Sequence, residues 1–214
     1  MLIREKVSKR VAKAGLSLTN GVIDALSAYF ELLRKWNTKV SLTSLPVDSV
    51  GDEALDRLLV EPVMAAKHLP SADSAVLDIG SGGGSPAIPM RLAVPTISLR
   101  MVESKTRKAA FLREVIRTLE LDRVAVDAVR FEELLVRPTL HDAADVVTLR
   151  AVRLDRKTLS GLQSFIKPGG VLFLFGTASP TPSEIVAPYL TAAATHTLLP
   201  QWGSRLEILQ KPSR

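Results

Sequence analysis

The feature that most constrains this 214-residue chain is an alternation that begins at Ala75. Ala75-Val-Leu-Asp-Ile79 is a short apolar run, closed by the loop Gly80-Ser-Gly-Gly-Gly-Ser85. Beyond it the periodicity predicts helices over 87–92, 105–119, 131–135 and 155–165, interleaved with strands over 97–102, 124–128, 144–149 and 171–175. Strands alternating with helices imply a parallel sheet with helices on both faces. Pro180, Pro182 and Pro188 interrupt the last forty residues, which read as a helix over 183–194 and two strands, 196–199 and 205–209, around Trp202-Gly203. A short turn forces those two strands to pair antiparallel, since a parallel pair needs a long crossover. The expectation is an α/β fold whose seven-stranded, mostly parallel sheet is Rossmann-like and ends in an antiparallel hairpin.

Before the alternation the pattern is helical. Residues 2 to about 45 place Val22, Leu26, Phe30, Leu33 and Trp36 on one stripe, with Thr19 or Asn20 as N-cap. A second helical run covers 48–67. Residues 1–70 are therefore expected to form a small helical cap belonging to the same unit as the sheet domain, 71–214.

The Asp78-Ile-Gly-Ser-Gly-Gly-Gly84 loop would sit at the carboxyl end of the first parallel strand, where doubly wound sheets bind nucleotides. Its glycines let a ligand approach the backbone and tolerate positive φ. Glu103 closes the second strand, placed to accept both ribose hydroxyls of an adenosine group. A nicotinamide dehydrogenase uses similar parts, and Gly80-x-Gly82-x-x-Ser85 nearly fits its fingerprint. S-adenosylmethionine is favoured on three grounds. Asp78 immediately precedes the glycines, no dehydrogenase pairing of His with Arg or Tyr with Lys is apparent, and Pro86 and Pro89 lack the N–H groups that cradle pyrophosphate.

What is missing narrows the methyl acceptor. The chain has no cysteine, which excludes disulfides, thiolate metal sites and the thiolate attack that methylation of pyrimidine carbon 5 needs. Exocyclic amines are usually met by an Asn/Asp-Pro-Pro-aromatic turn, but here the turn after the fourth strand reads Thr148-Leu-Arg-Ala-Val152. Guanine N7 requires neither device, because its lone pair is already exposed and proximity can supply most of the catalysis. Arg150, at the exit of that strand, is the residue expected nearest the base and the candidate catalytic side chain.

Composition adds partners. With 28 Lys and Arg against 22 acids the net charge is +6, which favours a polyanion. Residues 1–40 hold eight Lys/Arg against three acids, and the run Arg100, Lys105, Arg107, Lys108, Arg113, Arg117 faces only Glu103 and Glu114. Each run reads either as a solvated helix face or as an RNA phosphate contact. His68, His141 and His196 are far apart and show no metal spacing, so no metal is expected. No stretch reaches the roughly 18 apolar residues that span a bilayer. A cytoplasmic monomer without membrane contact is the expectation.

With these residues in view, the chain resembles the RsmG (GidB) family, bacterial methyltransferases that form N7-methylguanosine in small-subunit (16S) rRNA. Ala14-Gly-Leu-Ser-Leu, Tyr29-Phe-Glu-Leu-Leu-Arg-Lys-Trp-Asn37 and Val40-Ser-Leu-Thr43 are similar to "AGLSL…YLELLxKWNxxxNLT". The stretch from Leu77 to Pro89 is similar to "LDVGTGxGLPGIP", and that from Glu103 to Arg113 to "DSxxKRxxFLR". Val129-Arg-Phe-Glu-Glu-Leu134 is similar to "ARxEEL", Val147-Thr-Leu-Arg-Ala151 to "VxSRA", and Lys167-Pro-Gly-Gly170 to "KPGG". The resemblance implies a class I S-adenosylmethionine-dependent fold, with cofactor contacts at Asp78, Gly80, Gly82, Glu103, Arg130, Phe131, Glu132, Glu133 and Arg150. Ser81, Gly84, Pro86 and Ser104 complete the candidate set on the same loops. Arg130, Arg150 and Arg205 would face the RNA, as naked rRNA or as a 30S particle.

Two departures stand out. The family's "RHxLDS" corresponds to Asp56-Arg-Leu-Leu-Val-Glu61, and its "K-G" after the fifth strand becomes Phe175-Gly176. Three other readings stay open: a methyltransferase fold with a different acceptor, a nicotinamide-dependent oxidoreductase, and a non-catalytic RNA-binding remnant, for which Phe175 is the main support.

Overall fold

Seven strands form one sheet in the order β3-β2-β1-β4-β5-β7-β6. They are β1 Ala75–Ile79, β2 Ser98–Val102, β3 Val124–Asp127, β4 Ala144–Arg150, β5 Ile166–Gly176, β6 Thr191–Leu199 and β7 Ser204–Gln210. This computed structural model describes residues 2–151, 154–176 and 188–213. The first five strands run parallel, while β7 pairs antiparallel with both β5 and β6. The topology reverses between β1 and β4, which opens a crevice at the carboxyl edge there. This is the class I methyltransferase arrangement, as the sequence pattern predicts.

Each face of the sheet is buried by a different set of elements. Val76, Met101, Val146 and Phe173 pack under helices α1 Ile3–Lys13, α2 Asn20–Asn37, α3 Asp52–Leu55, α4 Glu61–Ala65, α5 Ala87–Ala93 and α6 Thr106–Thr118. Leu77, Val147 and Leu172, on the other face, pack under α7 Arg156–Leu162 and the 3₁₀ turn Phe131–Leu134. Side chains of a strand alternate between faces, so Asp78, Thr148, Arg150 and Phe175 all point toward the α1–α6 side.

Most elements lie where the periodicity places them, and the differences have physical reasons. The helical reading of residues 2–45 resolves into two helices separated at Gly15 (φ +67°), and helix ends at Asn37 rather than near Leu45. Thr19 is the N-cap of α2, its hydroxyl accepting from Val22 N at 3.4 Å. Strand β5 begins at Ile166, five residues before the expected start, because Ile166 already pairs with Ala144 and Lys167 to Gly170 bulge before Val171 pairs with Val146. The helix over 183–194 is corrected in its described part. Thr191, Ala192 and Ala194 instead pair with Gln210, Leu209 and Ile208 of β7. Three consecutive alanines favour a helix locally, but the ladder offered by β7 outweighs that small preference. Residues 183–187 lie outside the described residues.

Between α3 and α4 the backbone makes a π turn, Asp56–Val60, with Glu61 N–H donating to the Asp56 carbonyl. This turn and the residue that follows it supply two buried acids, Asp56 and Glu61, at 1% and 2% exposure. Both turn out to organise the site.

Candidate active site

The loop after β1 is spliced onto the end of β2. Gly80 and Ser81 both donate backbone N–H groups to the Val102 carbonyl, at 2.9 and 3.1 Å. Gly80, Gly82 and Gly84 have φ of +71°, +53° and +87°, a region that strains any L side chain. A Cβ on Gly84 would also lie 2.4 Å from Ile88 Cδ1. The glycines at 80, 82 and 84 are therefore required by backbone shape before any ligand is considered.

Glu103 stands beside this loop, nearly buried, and its carboxylate accepts from Gly82 N at 2.9 Å and Lys105 N at 2.7 Å. Two cavities share Glu103 and Gly80. The smaller, about 180 Å³, is a slot edged by Ile79, Val102, Val129 and Phe131, with Ser104, Arg130 and Glu132 at its rim. The larger, about 310 Å³, lies between the glycine loop and the chain segment Leu42-Thr43-Ser44, with Lys108 and Arg150 in its wall. An elongated ligand laid across both would present its middle to the Glu103 carboxylate. S-adenosylmethionine fits this shape: the apolar slot suits a purine, Glu103 the ribose, and the glycine wall the methionine end. Asp78 supplies a further sign of an absent polar partner. Its Oδ1 accepts from Thr148 Oγ1 at 2.5 Å, while Oδ2 is buried without a partner among the described residues. Burial pushes the Asp78 carboxyl up, against the hydrogen bond from Thr148 and the charge of Arg150.

Arg150 is held from several sides. Nη2 donates to Glu61 Oε2 at 2.6 Å, and Nη1 to the Arg57 carbonyl at 2.8 Å and Ser85 Oγ at 3.0 Å. Its guanidinium lies 4.8 Å from the centroid of the Phe175 ring, a cation–π contact. Burial draws the guanidinium below its usual range, and the Glu61 carboxylate opposes that shift. Glu61 Oε1 in turn accepts from Ser204 Oγ on β7. Both departures from the family pattern thus acquire roles. Phe175 is the platform under Arg150, and Glu61 is its counter-charge. Asp56, the other acid of the segment, accepts from Arg10, Gln201 and Trp202.

Two residues in the N-terminal helices complete the wall, and sequence reasoning quoted them without giving them a task. Tyr29, fully buried on α2, donates its hydroxyl to the Gly83 carbonyl at 2.6 Å; burial raises its pKa. Asn37, at the end of α2, accepts from Leu42 N at 2.9 Å and Thr43 N at 3.0 Å, which fixes the segment opposite the glycines. Gly83 is small for that reason, since a Cβ there would lie 3.3 Å from the Leu42 carbonyl.

The remaining candidates divide. Ser81 is buried and donates to the Asp78 carbonyl, and Pro86 is buried behind the loop. Arg130 is exposed, and its N–H donates to Glu133 Oε1 at 2.8 Å, so Glu133 caps the 3₁₀ turn instead of facing the slot. Arg205 pairs with Gly176 across β5 and β7, on the same sheet edge as Arg150. His68 and His196 stack at 3.8 Å, but no group of three metal-ligating side chains occurs among the described residues.

Residues 22–187 match the family model GidB, rRNA small subunit methyltransferase G. The chain belongs to this family. A relative from Neisseria meningitidis, named ribosomal RNA small subunit methyltransferase G, is 34% identical over 170 residues, covering 78% of this chain and 76% of that protein. One of the same name from Acetivibrio thermocellus is 29% identical over 170 residues, covering 78% and 68%. Among solved structures, a putative O-methyltransferase from Klebsiella pneumoniae superposes with a TM-score of 0.61 at 15% identity, covering 88% of this chain and 90% of that one. P. horikoshii TYW2, solved in complex with MeSAdo, gives 0.56 at 17% identity, covering 72% and 62%. These structural likenesses show the fold. Family membership makes the protein a methyltransferase and removes the nicotinamide oxidoreductase reading.

Proposed function

We propose that this protein transfers the methyl group of S-adenosylmethionine to N7 of a guanosine in small-subunit rRNA. The observation that carries the reading is the composition of the larger cavity. Its titratable lining side chains among the described residues are Glu103, Lys108 and Arg150. Glu103 accepts from Gly82 N and Lys105 N and keeps lone pairs for a ribose, Arg150 is paired with Glu61, and Lys108 adds a second positive charge. In this reading none of the three serves as a base for an amine proton, and N7 has none to lose.

The cofactor supplies an electrophilic methyl on a sulfonium. Glu103 would hold the ribose and the glycine wall the methionine end, with Ile79, Val102 and Phe131 against the adenine. Arg150, fixed by Glu61 and Phe175, offers a rigid planar edge to the guanine, toward O6 rather than N7, because a donor on N7 would block the lone pair. Leu42 to Ser44 closes the opposite wall and limits water. Catalysis is then largely alignment of two bound partners. The stacked, counter-charged setting of Arg150 favours an active site over an RNA-binding remnant.

The test is incubation of 30S particles and of naked small-subunit rRNA with methyl-labelled S-adenosylmethionine. Label at one guanosine that becomes cleavable by borohydride and aniline is the expected result. Label on an exocyclic amine or on a pyrimidine would overturn the N7 assignment.

A further inference from the structure

Positive charge on this protein is unevenly spent. Around the sheet, four arginines are matched by carboxylates, Arg91 by Asp122, Arg100 and Arg137 by Asp127, and Arg150 by Glu61, while Arg113, Arg123 and Arg130 there stand apart from one another. Along the contact between the last turns of α2 and the length of α6, unpaired cations are grouped. Arg34, Lys35, Lys39, Lys105, Arg107 and Lys108 make no salt bridge with any described residue. The two helices touch through Trp36 and Phe111, whose rings lie 5.7 Å apart, so the six cations border one seam. Lys35, Lys39, Lys105 and Arg107 are exposed. The first turn of α6 carries no acid. Nearby Glu114 feels Lys35 but is already held by Arg117 at 2.7 Å, and Glu31 is the remaining acid on this part of α2.

The seam is continuous with the active site. Lys108 lines the larger cavity together with Leu42, Thr43 and Glu103. In the other direction, Arg34 and Lys35 border an open groove of about 820 Å³ with Thr118 at the end of α6 and with two acids, Glu31 and Asp48. An unpaired, solvated cation can take a phosphate without first breaking an ion pair, and each such contact releases counterions from the nucleic acid. Paired arginines elsewhere lack that advantage.

We infer that the α2–α6 seam binds the ribose-phosphate backbone of the rRNA flanking the target guanosine, with Lys108 marking where the strand turns into the cavity. This rests on the proposed rRNA methyltransferase reading and adds the surface on which the substrate lies. Phosphate contacts of this kind set register without reading bases.

The experiment compares Lys39→Ala/Arg107→Ala with Arg123→Ala/Lys167→Ala, which removes the same charge at the amino ends of β3 and β5. The probe is a fluorescently labelled fragment of small-subunit rRNA, bound over a range of salt concentrations, with calorimetric titration of S-adenosylmethionine as the measure of an intact fold. The seam variant should lose about fivefold or more in RNA affinity near 0.1 M salt, and its log–log salt slope should shrink by about 1.5 to 2. Cofactor affinity should not change, and the control variant should bind RNA nearly as the unmutated protein does. Equal losses in both variants would reduce the effect to net charge and overturn the seam, as would RNA binding by the seam variant equal to that of the unmutated protein. If the unmutated protein binds S-adenosylmethionine but neither the rRNA fragment nor a 30S particle, the functional reading fails together with the seam, and that failure is visible without any variant.

Discussion

Glu61 Oε2 and Arg150 Nη2 lie 2.6 Å apart, on a helix and a strand separated by 89 residues of chain. Because the acid is 2% exposed and the base 19%, the carboxylate in particular is poorly solvated without its partner. Glu61→Gln should lower unfolding free energy by roughly 3 kcal/mol in urea titrations, since removing one partner strands the other charge. Turnover should fall with it, because Arg150 would lose its fixed direction. Unchanged stability would mean that the guanidinium is held by Phe175 and the Arg57 carbonyl alone.

Glu103→Ala should weaken S-adenosylmethionine binding by about 1 to 3 kcal/mol, the cost of losing a charged acceptor at a buried ribose. It also frees the Gly82 N–H, so the glycine loop should exchange amide hydrogen faster. Calorimetry and hydrogen exchange read the two effects separately, and full affinity in the variant would remove Glu103 from the ribose.

Tyr29→Phe takes away only the hydroxyl that donates to the Gly83 carbonyl. A loss of about 1 kcal/mol in stability is expected from one buried neutral hydrogen bond. Cofactor affinity should drop as well, because the hydroxyl is what ties α2 to the loop. A stability loss with unaltered cofactor affinity would confine Tyr29 to packing.

Asn37→Ala should act on the acceptor side. Its amide oxygen serves Leu42 N and Thr43 N, and without it the wall facing the glycines loosens. KM for rRNA should rise several-fold while cofactor affinity changes little; the opposite pattern would place the segment on the cofactor instead.

Stability should also depend on pH through His68. Burial, then the charges of His196 and Lys67, lower its pKa from 6.5. A histidine depressed in the folded state favours folding above its unfolded pKa, and that contribution is lost as pH falls through the folded value. The urea midpoint should therefore drop between about pH 7.5 and about pH 5.5 by more in the unmutated protein than in His68→Gln. Parallel drops would assign the effect to other groups.

The legible and illegible parts of this protein differ in range. Strand β1, its glycine loop and Glu103 were readable because an apolar run, small residues and an acid follow one another along the chain. The N-cap at Thr19 was readable for the same reason. The setting of Arg150 was not: Glu61 and Phe175 come to it from distant strand and helix positions, and both appeared in the sequence only as departures from a family pattern. Asn37 and Tyr29 lay inside a quoted motif, yet nothing local says that their polar atoms reach backbone groups across a cavity. The start of β6 failed differently, since its alanines carry a helical preference that only pairing with β7 overrides.

The π turn Asp56–Val60 fixes how much chain may lie between two acids that must look the same way. In a regular α-helix, residues five apart diverge by about 140° around the axis; the wider turn lets Asp56 reach Trp202 while Glu61 reaches Ser204. This stretch should therefore be far more sensitive to length than to spelling. Leu59→Ala removes one side chain and leaves the phase intact. Inserting one residue after Leu59 sets the two acids six apart, which in a regular helix diverge by about 120°, so one carboxylate swings away from the sheet and the longer chain should be the poorer enzyme.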